Sequence, residues 1–531
     1  MPHSTHAAQT SADRLEALIE RQGQPVVINR GIERETLRTD GSARLSLTPH
    51  PASLGNKLTH PSITTDFSES QLELITPVFQ SVDALLHDLT ATHQFVTRQL
   101  GKERLWPGSM PCILPDEQAI PLADYGSSNL GRLKKTYRNG LGLRYNRIMQ
   151  TICAVHYNFS LSDADWDGLR NIESRDEERP QFVARRYFDL MRNFRRWSWL
   201  PLYLFGASPA VDRSFLTTKQ QSLFSQLDAD TFYLPFATSL RSGDLGYQSH
   251  IQSDHINICY NSLADYADSL RQAITTPHTN YEHLTEHHGP AAQISPHILQ
   301  SEAEFYTTVR AKTAAPPGEN FLTHLLRQGP TYIEIRLLDV NPFTDIGVTA
   351  EQIHFLDLFL LHCLLSDSPQ HDPALCDEVQ SNFRQTVTEG RRHNVQLLNQ
   401  GTHVSLGDWG KQLLDALSPL AERLDQSAQS SRYSEALAAM TERVNHPDKT
   451  PSGQLLAMLT GESISLRQLM QRQSERFHEA LVAHPWPGVL HEAFTQTVAQ
   501  SHDAAKTYPD SDDHHFLEYL DDFVAAYRLA P

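Results

Sequence analysis

The sequence is poor in cysteine, and the few thiols it has form no recognisable pattern. There are five in 531 residues, with no CxxC pair and mostly apolar neighbours. An odd number in such contexts favours reduced, buried thiols and argues against a disulfide framework or a zinc site. We therefore expect a cytoplasmic protein. The cysteines are Cys112, Cys153, Cys259, Cys363 and Cys376.

Long hydrophobic runs are also missing. The longest, FLDLFLLHCLL at 355–365, is too short to cross a bilayer and contains Asp357. The start of the chain, MPHSTHAAQTSADRLEALIERQ, has neither a basic segment nor an apolar run, so we expect no secretory signal. These absences predict a protein without a membrane partner.

Basic charge is scarce, and so are the glycine-rich loops that hold nucleotide phosphates. Lysine and arginine number 45 against 63 acidic residues, a formal net charge of -18, which argues against a nucleic-acid partner. Neither GxxxxGK[ST] nor GxGxxG occurs, and GDWGK at 407–411 lacks the required spacing. Any bound phosphate must therefore be held by metal ions and side chains.

The composition, 39% hydrophobic and 20% charged, is that of an ordinary globular protein with one large core or several smaller ones. Up to residue 348, short β-like runs alternate with helical segments, and after it helical patterns dominate. Thr349 and Gln352 form a capping box that predicts a helix over AEQIHFLDLFLLHCLL. We predict an α+β body at 1–348 and a mainly helical portion at 349–531, with NHPDKTPSG at 445–453 as a surface loop.

The β-like runs carry the acidic residues of interest. In GIERETLR, Glu33 and Glu35 stand two apart and share one face of a strand. Such a pair alone is more often a solvated surface than a site. Asp66 and Glu73 follow in ITTDFSESQLELITP, and His156 lies in CAVHYNFSL, where a lone histidine is usually structural.

The stretch TYIEIRLLDVNPF at 331–343 favours a binding site over a solvated surface. It puts Glu334 and Arg336 on one face of a strand whose other face is apolar. Several separated strands then offer oxygen ligands on one parity, as a site for a hard divalent cation requires. Mg²⁺ is the natural candidate, and an arginine two residues from a ligand is placed to meet a transferring phosphoryl group.

Eight blocks in order, from GIERETLR to YIEIRLLDVNPF, resemble the glutamate–cysteine ligases of the proteobacterial type. They include WPGSMPC, YGSSNLGRLKKTYRNGLGLRY, PLYLFGASPA and YLPFATSLRSGDLGY, and they span about 31–357. The resemblance implies a mainly antiparallel sheet that forms a funnel-shaped active site, similar to that of glutamine synthetase. It also implies ATP-dependent ligation of the γ-carboxylate of L-glutamate to L-cysteine, the first step of glutathione synthesis.

The resemblance further implies roles for particular residues. Arg336 matches a phosphate-contacting arginine and Arg241 a contact to glutamate, while three tyrosines shape the cysteine pocket. Within the basic run 132–138, otherwise read as a solvated helix face, Arg138 is the candidate for substrate binding. The tyrosines are Tyr137, Tyr247 and Tyr306. The metal-binding residues are Glu33, Glu35, Asp66, Glu73, His156 and Glu334, with Mg²⁺ as the expected ion and Mn²⁺ as the alternative.

Two other functions stay open at this point. A γ-glutamyl ligase that uses another amine would keep the metal and phosphate residues and differ around the tyrosines. A non-catalytic metal- or nucleotide-binding regulator is the second alternative. We also expect that another protein performs the second step of glutathione synthesis, because no stretch remains for a fused ATP-grasp synthetase. The sequence does not fix the oligomeric state, and a monomer is the hypothesis carried forward.

Overall fold

The structure is a computed structural model that describes residues 10–173, 176–246, 252, 256, 258–315 and 319–528. The strands are β1 Ile28–Thr39, β2 Ile63–Thr65, β3 Gln71–Ile75, β4 Arg104–Leu105, β5 Ala154–Leu161, β6 Ala210–Asp212, β7 Ser225–Gln226, β8 Thr231–Tyr233, β9 Val309–Lys312, β10 Tyr332–Asp339, β11 Gln396–Asn399 and β12 Thr402–Ser405. The helices up to residue 348 are α1 Ser11–Gln22, α2 Val82–Gln99, α3 Asn129–Tyr145, α4 Asp163–Glu173, α5 Arg179–Trp197, α6 Trp199–Phe205, α7 Thr218–Gln221, α8 Leu263–Thr275, α9 Thr279–His288 and α10 Phe321–Gln328. Those after it are α11 Ala350–Leu365, α12 Pro373–Glu389, α13 Leu406–Ala428, α14 Arg432–Asn445, α15 Pro451–Glu462, α16 Leu466–Ala483, α17 Gly488–Ala505 and α18 Asp513–Arg528.

The main sheet has seven strands in the order β2-β3-β1-β5-β10-β9, with β4 paired to β1 outside this path. Every ladder between these strands is antiparallel. Sequence-distant strands are therefore neighbours, since β1, β5 and β10 lie side by side. The expected α+β class, with a mainly antiparallel sheet and a helical C-terminal portion, is confirmed.

Strand β10 departs from regular alternation. Its pairing with β5 shifts in register between Ile335 and Leu338, which marks a β-bulge. Both Leu337 and Leu338 are buried as a result. Arg336 stands at this irregularity and remains on the same side as Glu334, to which its guanidinium donates a hydrogen bond at 3.2 Å.

The helices follow their sequence patterns closely. The predicted capping box of α11 is present, with the Thr349 side chain accepting from the Gln352 backbone and the Gln352 side chain accepting from the Thr349 backbone. Helix α11 is buried on nearly every side, as its continuous apolar run requires. No helix in the described ranges combines the length and apolar character needed to cross a bilayer.

The prediction of a surface loop at 445–453 is wrong for its second half. Pro447–Lys449 forms a 3₁₀ turn, and α15 begins at Pro451 with Thr450 as its N-cap. Proline suits the first position of a helix because its missing N–H would have no partner there. Residues 450–453 are buried. The Thr-Pro-Ser-Gly sequence is thus a helix start rather than a loop.

One hydrophobic core runs through both predicted portions of the chain. It contains Ile32 and Phe159 of the sheet together with Leu361 and Leu414 of the later helices. Helix α1, at the other end of the chain, packs against α11 and α13. The division at residue 348 stays a prediction, and the two sides of it share their interior.

A buried ion pair joins the sheet to α11. Arg30 of β1 donates from Nη2 to Asp357 Oδ2 at 2.7 Å and from Nε at 3.0 Å, and both side chains are almost fully buried. The hydroxyl of Tyr157 also donates to Asp357. Burial alone would lower the pKa of Arg30, but the charge of Asp357 holds that pKa above its ordinary value. The acidic residue that interrupts the longest apolar run therefore fixes the helix on the sheet.

Replacing Asp357 with asparagine should destabilise the protein by about 3–5 kcal/mol, because Arg30 would be left as a buried charge without its counterion. The matched control is Asp367→Asn. Asp367 pairs with Arg14, and the side chain of Asp367 is 68% exposed. That change should cost about 0–1 kcal/mol. Urea midpoints of the two variants measure the difference, and equal midpoints would contradict the assignment.

Candidate active site

Three ligand-type side chains from three strands meet on one face of the sheet. Glu33 of β1 stands opposite His156 of β5, and Glu334 of β10 stands opposite Asn158, two residues along β5. Each of Glu33, His156 and Glu334 offers a donor atom, and these atoms lie within 4.8 Å of one another. His156 Nδ1 is 3.1 Å from Glu33 Oε2 and 3.9 Å from Glu334 Oε1.

A second acidic group, Glu35 with Glu73 and Asp66, lies next to these three side chains along β1. The carboxylates of the two groups together are called the acidic row. Glu35 pairs in register with Glu73 of β3, and its Oε1 is 3.4 Å from His156 Nε2. Asp66 follows β2 at the same end, and its charge acts on both Glu35 and Glu73. The structure thus brings together all six residues predicted as metal ligands.

The two ends of the row differ in electrostatics. Burial, with the charges of Asp66 and Glu73, raises the pKa of Glu35 well above its ordinary value. Burial and the charges of Glu33 and Asp66 likewise raise the pKa of Glu73 to about 8. The carboxyl of Glu73 therefore takes up a proton near neutral pH, because it is desolvated and lies close to other carboxylates.

At the other end, the carboxylates are kept ionised. Burial opposes the charge of Glu334, but Lys312, Arg336 and His156 together bring its pKa well below the ordinary value. Burial also opposes the charge of Glu33, and the hydrogen bond with His156 outweighs it and lowers the pKa. Lys312 Nζ is 3.6 Å from Glu334 Oε1, and sequence reasoning missed this residue because β9 is a short strand without an acidic pattern.

His156 itself is suited to coordinate a cation. Burial, followed by the charge of Arg336, lowers its pKa, so the ring is neutral at physiological pH as a ligand must be. Carboxylate oxygens with one neutral imidazole are a donor set that fits Mg²⁺ or Mn²⁺. Crowded buried carboxylates also gain from a cation between them, since it removes their mutual repulsion.

A cavity of about 420 Å³ opens beside this row. Its lining includes His156, Arg336, Arg241 and Tyr306, so four of the predicted site residues face one space. A further wall of the cavity comes from helix α12, which lies after residue 348. Sequence reasoning missed this wall because its residues carry no motif. The α12 residues that line the cavity are Pro373, Cys376, Asp377, Val379, Gln380 and Phe383.

Arg241 is held by a buried network that sequence reasoning also missed. Its Nη2 donates to the carbonyls of Arg336 and of Leu338, and its Nε lies 3.3 Å from Asp339 Oδ1. Asp339 is 1% exposed and accepts hydrogen bonds from the hydroxyls of Ser208 at 2.6 Å and Ser239 at 2.9 Å. A buried carboxylate that accepts this many hydrogen bonds fixes the guanidinium against the sheet.

The remaining predicted residues are distributed unevenly. The hydroxyl of Tyr306 accepts a hydrogen bond from Gln150 at 2.9 Å, and its ring meets Tyr145 edge-on. Tyr137 is half-buried on α3 and does not line the cavity. Arg138 is buried one residue further along α3. Tyr247 lies outside the described residues.

Comparison with known proteins identifies the class of the chain. The family model for glutamate–cysteine ligase matches residues 15–386. A glutamate–cysteine ligase of Pseudomonas putida is 46% identical over 472 residues, which cover 89% of this chain and 90% of the relative. A glutamate–cysteine ligase of Pseudomonas aeruginosa is 43% identical, with 94% of each chain covered.

A solved structure agrees with these relatives. The crystal structure of a glutamate–cysteine ligase from Francisella tularensis in complex with AMP superposes with a TM-score of 0.88 at 30% identity, and the match covers 96% of this chain and 99% of that one. The matches define an enzyme of the ligase class. The chain belongs to the glutamate–cysteine ligase family. The expected activity, ligation of L-glutamate to L-cysteine in the first step of glutathione synthesis, is thereby confirmed at the level of the family.

The raised pKa of Glu73 predicts a pH dependence of stability in the metal-free protein. A carboxyl with a folded-state pKa of about 8 binds its proton more tightly when folded, so its contribution is present at pH 4 and is lost as pH rises towards 8. Glu73→Gln should therefore gain stability over wild type between pH 5 and pH 8, on the order of a few kcal/mol. Thermal melts in a chelator measure this gain, and the exposed Glu282→Gln on α9 is the control. A difference that is constant with pH would contradict the expectation.

Proposed function

We propose that this chain joins the γ-carboxylate of L-glutamate to the amine of L-cysteine through γ-glutamyl phosphate, with ATP as phosphoryl donor. One observation carries the proposal: donor atoms of Glu33, His156 and Glu334 lie within 4.8 Å of one another, and the guanidinium of Arg336 adjoins them at the edge of a cavity. The AMP bound to the related Francisella tularensis enzyme supports a nucleotide as co-substrate.

We place the divalent cations on the acidic row, with Mg²⁺ as the first candidate and Mn²⁺ as the alternative. Glu33, His156 and Glu334 would hold one position, and Glu35, Asp66 and Glu73 would hold the other carboxylate-rich position. When bound, Mg²⁺ neutralises phosphate oxygens and the charge that develops during phosphoryl transfer.

Arg336 acts on the phosphoryl group in this proposal. Its side chain is 22% exposed and lines the cavity, and its Nη1 donates to Glu334. A planar guanidinium next to a metal ligand can spread the charge on the transferring group without reorganisation, which is the largest lever in this chemistry. Lys312, 3.6 Å from Glu334, adds a second positive charge at the same carboxylate.

The carboxylate oxygen of the glutamate side chain attacks the terminal phosphorus of ATP, and ADP leaves. The amine of cysteine then attacks the acyl carbon of the mixed anhydride, loses a proton, and phosphate leaves with the C–O bond electrons. Arg241, fixed by Asp339, is placed to hold the glutamate substrate, and Tyr306 lines the same cavity. Arg138, Tyr137 and Tyr247 complete the predicted substrate contacts.

We further propose that the enzyme works in the cytoplasm as a monomer. All five cysteines, each within the described ranges, are free thiols, and three of them are buried. Reduced thiols suit an intracellular compartment. The oligomeric state stays a prediction.

Glu334→Gln should reduce glutamate-dependent ADP formation by at least about 100-fold, since it removes a charge from the proposed metal position and the partner of Arg336. The matched control is Glu282→Gln, an exposed glutamate on α9, which should leave the rate unchanged. Equal rates in the two variants would contradict the proposed role of Glu334. Wild-type protein without glutamate-dependent ADP formation would instead support a non-catalytic regulator.

The acceptor amine is tested with the same assay. Cysteine, 2-aminobutyrate and other amines are compared by kcat/KM in the presence of glutamate and MgATP. We expect cysteine to be the best acceptor. Another amine with the higher kcat/KM would make the chain a γ-glutamyl ligase of different specificity.

Asp339→Asn should raise the KM for glutamate about tenfold or more while the KM for MgATP is unchanged. The neutral amide keeps the shape but loses the ion pair that orients Arg241, and a charge-assisted hydrogen bond of this kind is worth about 1.5–3 kcal/mol. Steady-state kinetics separate the two KM values, and Asp367→Asn is the control. A variant that loses only thermal stability would contradict the positioning role.

A further inference from the structure

Helix α3 carries four basic residues within about two turns, and the structure separates them into two kinds. Arg132 pairs with Asp513 at 2.7 Å, and Lys135 pairs with Asp124 at 2.6 Å, so both are matched by carboxylates at the surface. Lys134 and Arg138 lie on the other side of the helix, towards the sheet. Lys134 is half-buried, unlike the exposed Lys135 that follows it.

Lys134 and Arg138 converge on one aromatic ring. Lys134 Nζ is 5.2 Å and Arg138 Cζ is 4.6 Å from the centroid of the Tyr125 ring. The hydroxyl of Tyr125 donates to the Thr65 carbonyl at 2.5 Å, which fixes the ring at the end of β2. Two like charges four residues apart on a helix repel each other, and the ring offsets only part of that repulsion.

Neither cation has a carboxylate partner among the described residues. Arg138 gives its donors to three carbonyls, of Asp66, of Lys134 at 3.0 Å and of Thr65 at 3.4 Å. The ammonium of Lys134 forms no hydrogen bond or ion pair within the described ranges. Its contact is the cation–π interaction with the Tyr125 ring. A third cation near the ring, Lys57, is by contrast paired with Glu69.

The surroundings of Lys134 support a bound anion. Burial, and then the charge of Arg138, lower the pKa of Lys134 to about 8, so the ammonium is desolvated yet still charged at neutral pH. Asp66 and Glu73 lie within range of its charge and form the carboxylate-rich end of the acidic row. A cation held there by carboxylates would attract phosphate oxygens to the same place. Lys134 and Arg138 lie beside it and carry N–H donors for those oxygens.

We propose that Lys134, together with Arg138, binds phosphate oxygens of the nucleotide where Asp66 and Glu73 hold the cation. The inference rests on the proposed function, since it assigns one part of that same site. It makes Lys134 a binding residue for the phosphate chain rather than for an amino-acid carboxylate. Lys134 acts here as a point charge. The guanidinium of Arg138 is fixed by the three carbonyls, and the second N–H groups of Nη1 and Nη2 are its donors for the same anion.

The test compares Lys134→Gln with its sequence neighbour Lys135→Gln in the full chain. Initial rates of ADP formation are measured with MgATP varied at constant excess of free Mg²⁺, and with glutamate and cysteine varied in turn. Lys134→Gln should raise the KM for MgATP about tenfold or more, as loss of a charge-assisted contact requires, with the other KM values unchanged. Lys134→Arg should recover most of the loss, and Lys135→Gln should behave as wild type.

Calorimetry with AMP-PNP and Mg²⁺ tests the contact without turnover. The dissociation constant should rise about tenfold in Lys134→Gln and stay unchanged in Lys135→Gln. Lys134→Met keeps the aliphatic stem over Tyr125, and it replaces the glutamine variant in both assays if that variant does not fold. Equal KM values and dissociation constants in the Lys134 and Lys135 variants would overturn the inference. It would also be overturned if Lys134→Gln raised only the KM for glutamate or cysteine, or only the Mg²⁺ requirement.

The failure of this inference is distinguishable from that of the proposed function. If wild-type protein forms ADP in a glutamate-dependent manner and Lys134 variants bind AMP-PNP normally, only the phosphate contact is wrong. If wild-type protein binds AMP-PNP through Lys134 but forms no ADP with glutamate, the proposed function is wrong and the contact stands.

Discussion

The structure depends on the antiparallel register of three strands that crowds negative charge into the interior. Because β5 lies between β1 and β10, Glu33 and Glu334 approach the same histidine from opposite sides. Repulsion between these carboxylates is large at low dielectric, and hydrophobic burial on the opposite face of the sheet holds them together against it. Lys312 and Arg336 offset the negative charge of Glu334 and lower its pKa. At the other end, burial and neighbouring carboxylates raise the pKa of Glu35 and of Glu73.

Much of this arrangement could be predicted from the sequence, because strand parity is a strict rule. Glu33 and Glu35, or Glu334 and Arg336, share a face wherever the strand runs regularly. Parity does not state which strands are neighbours. The resemblance of eight blocks to a known family supplied the set of residues expected at one metal site, and the strand order came from the structure. The capping box of α11 was equally readable, since Thr349 and Gln352 satisfy each other within four residues.

What the sequence did not reveal depends on contacts between distant segments. Asp339 looks like an ordinary residue at the end of a strand, and only the folded chain shows that Ser208, Ser239 and Arg241 converge on it. Lys134 and Lys135 differ in their position around the helix. Leu133, Tyr137 and Leu141 recur at helical spacing, but this pattern does not state which distant segment packs beside Lys134. Pro451 was misread because proline favours both loops and helix starts, and burial decides between them.

Helix α12 lies far from the sheet in sequence and yet forms a wall of the cavity. Its C-terminal turn is tied to the loop before Arg241, where Thr238 donates from its backbone to Val387 at 2.8 Å and from its hydroxyl to Thr386 at 2.9 Å. The acidic row, by contrast, stands on strands that contribute to the core. Substitutions in α12 can therefore change the shape of the cavity, and with it the molecules admitted, while the acidic residues of the sheet keep their positions.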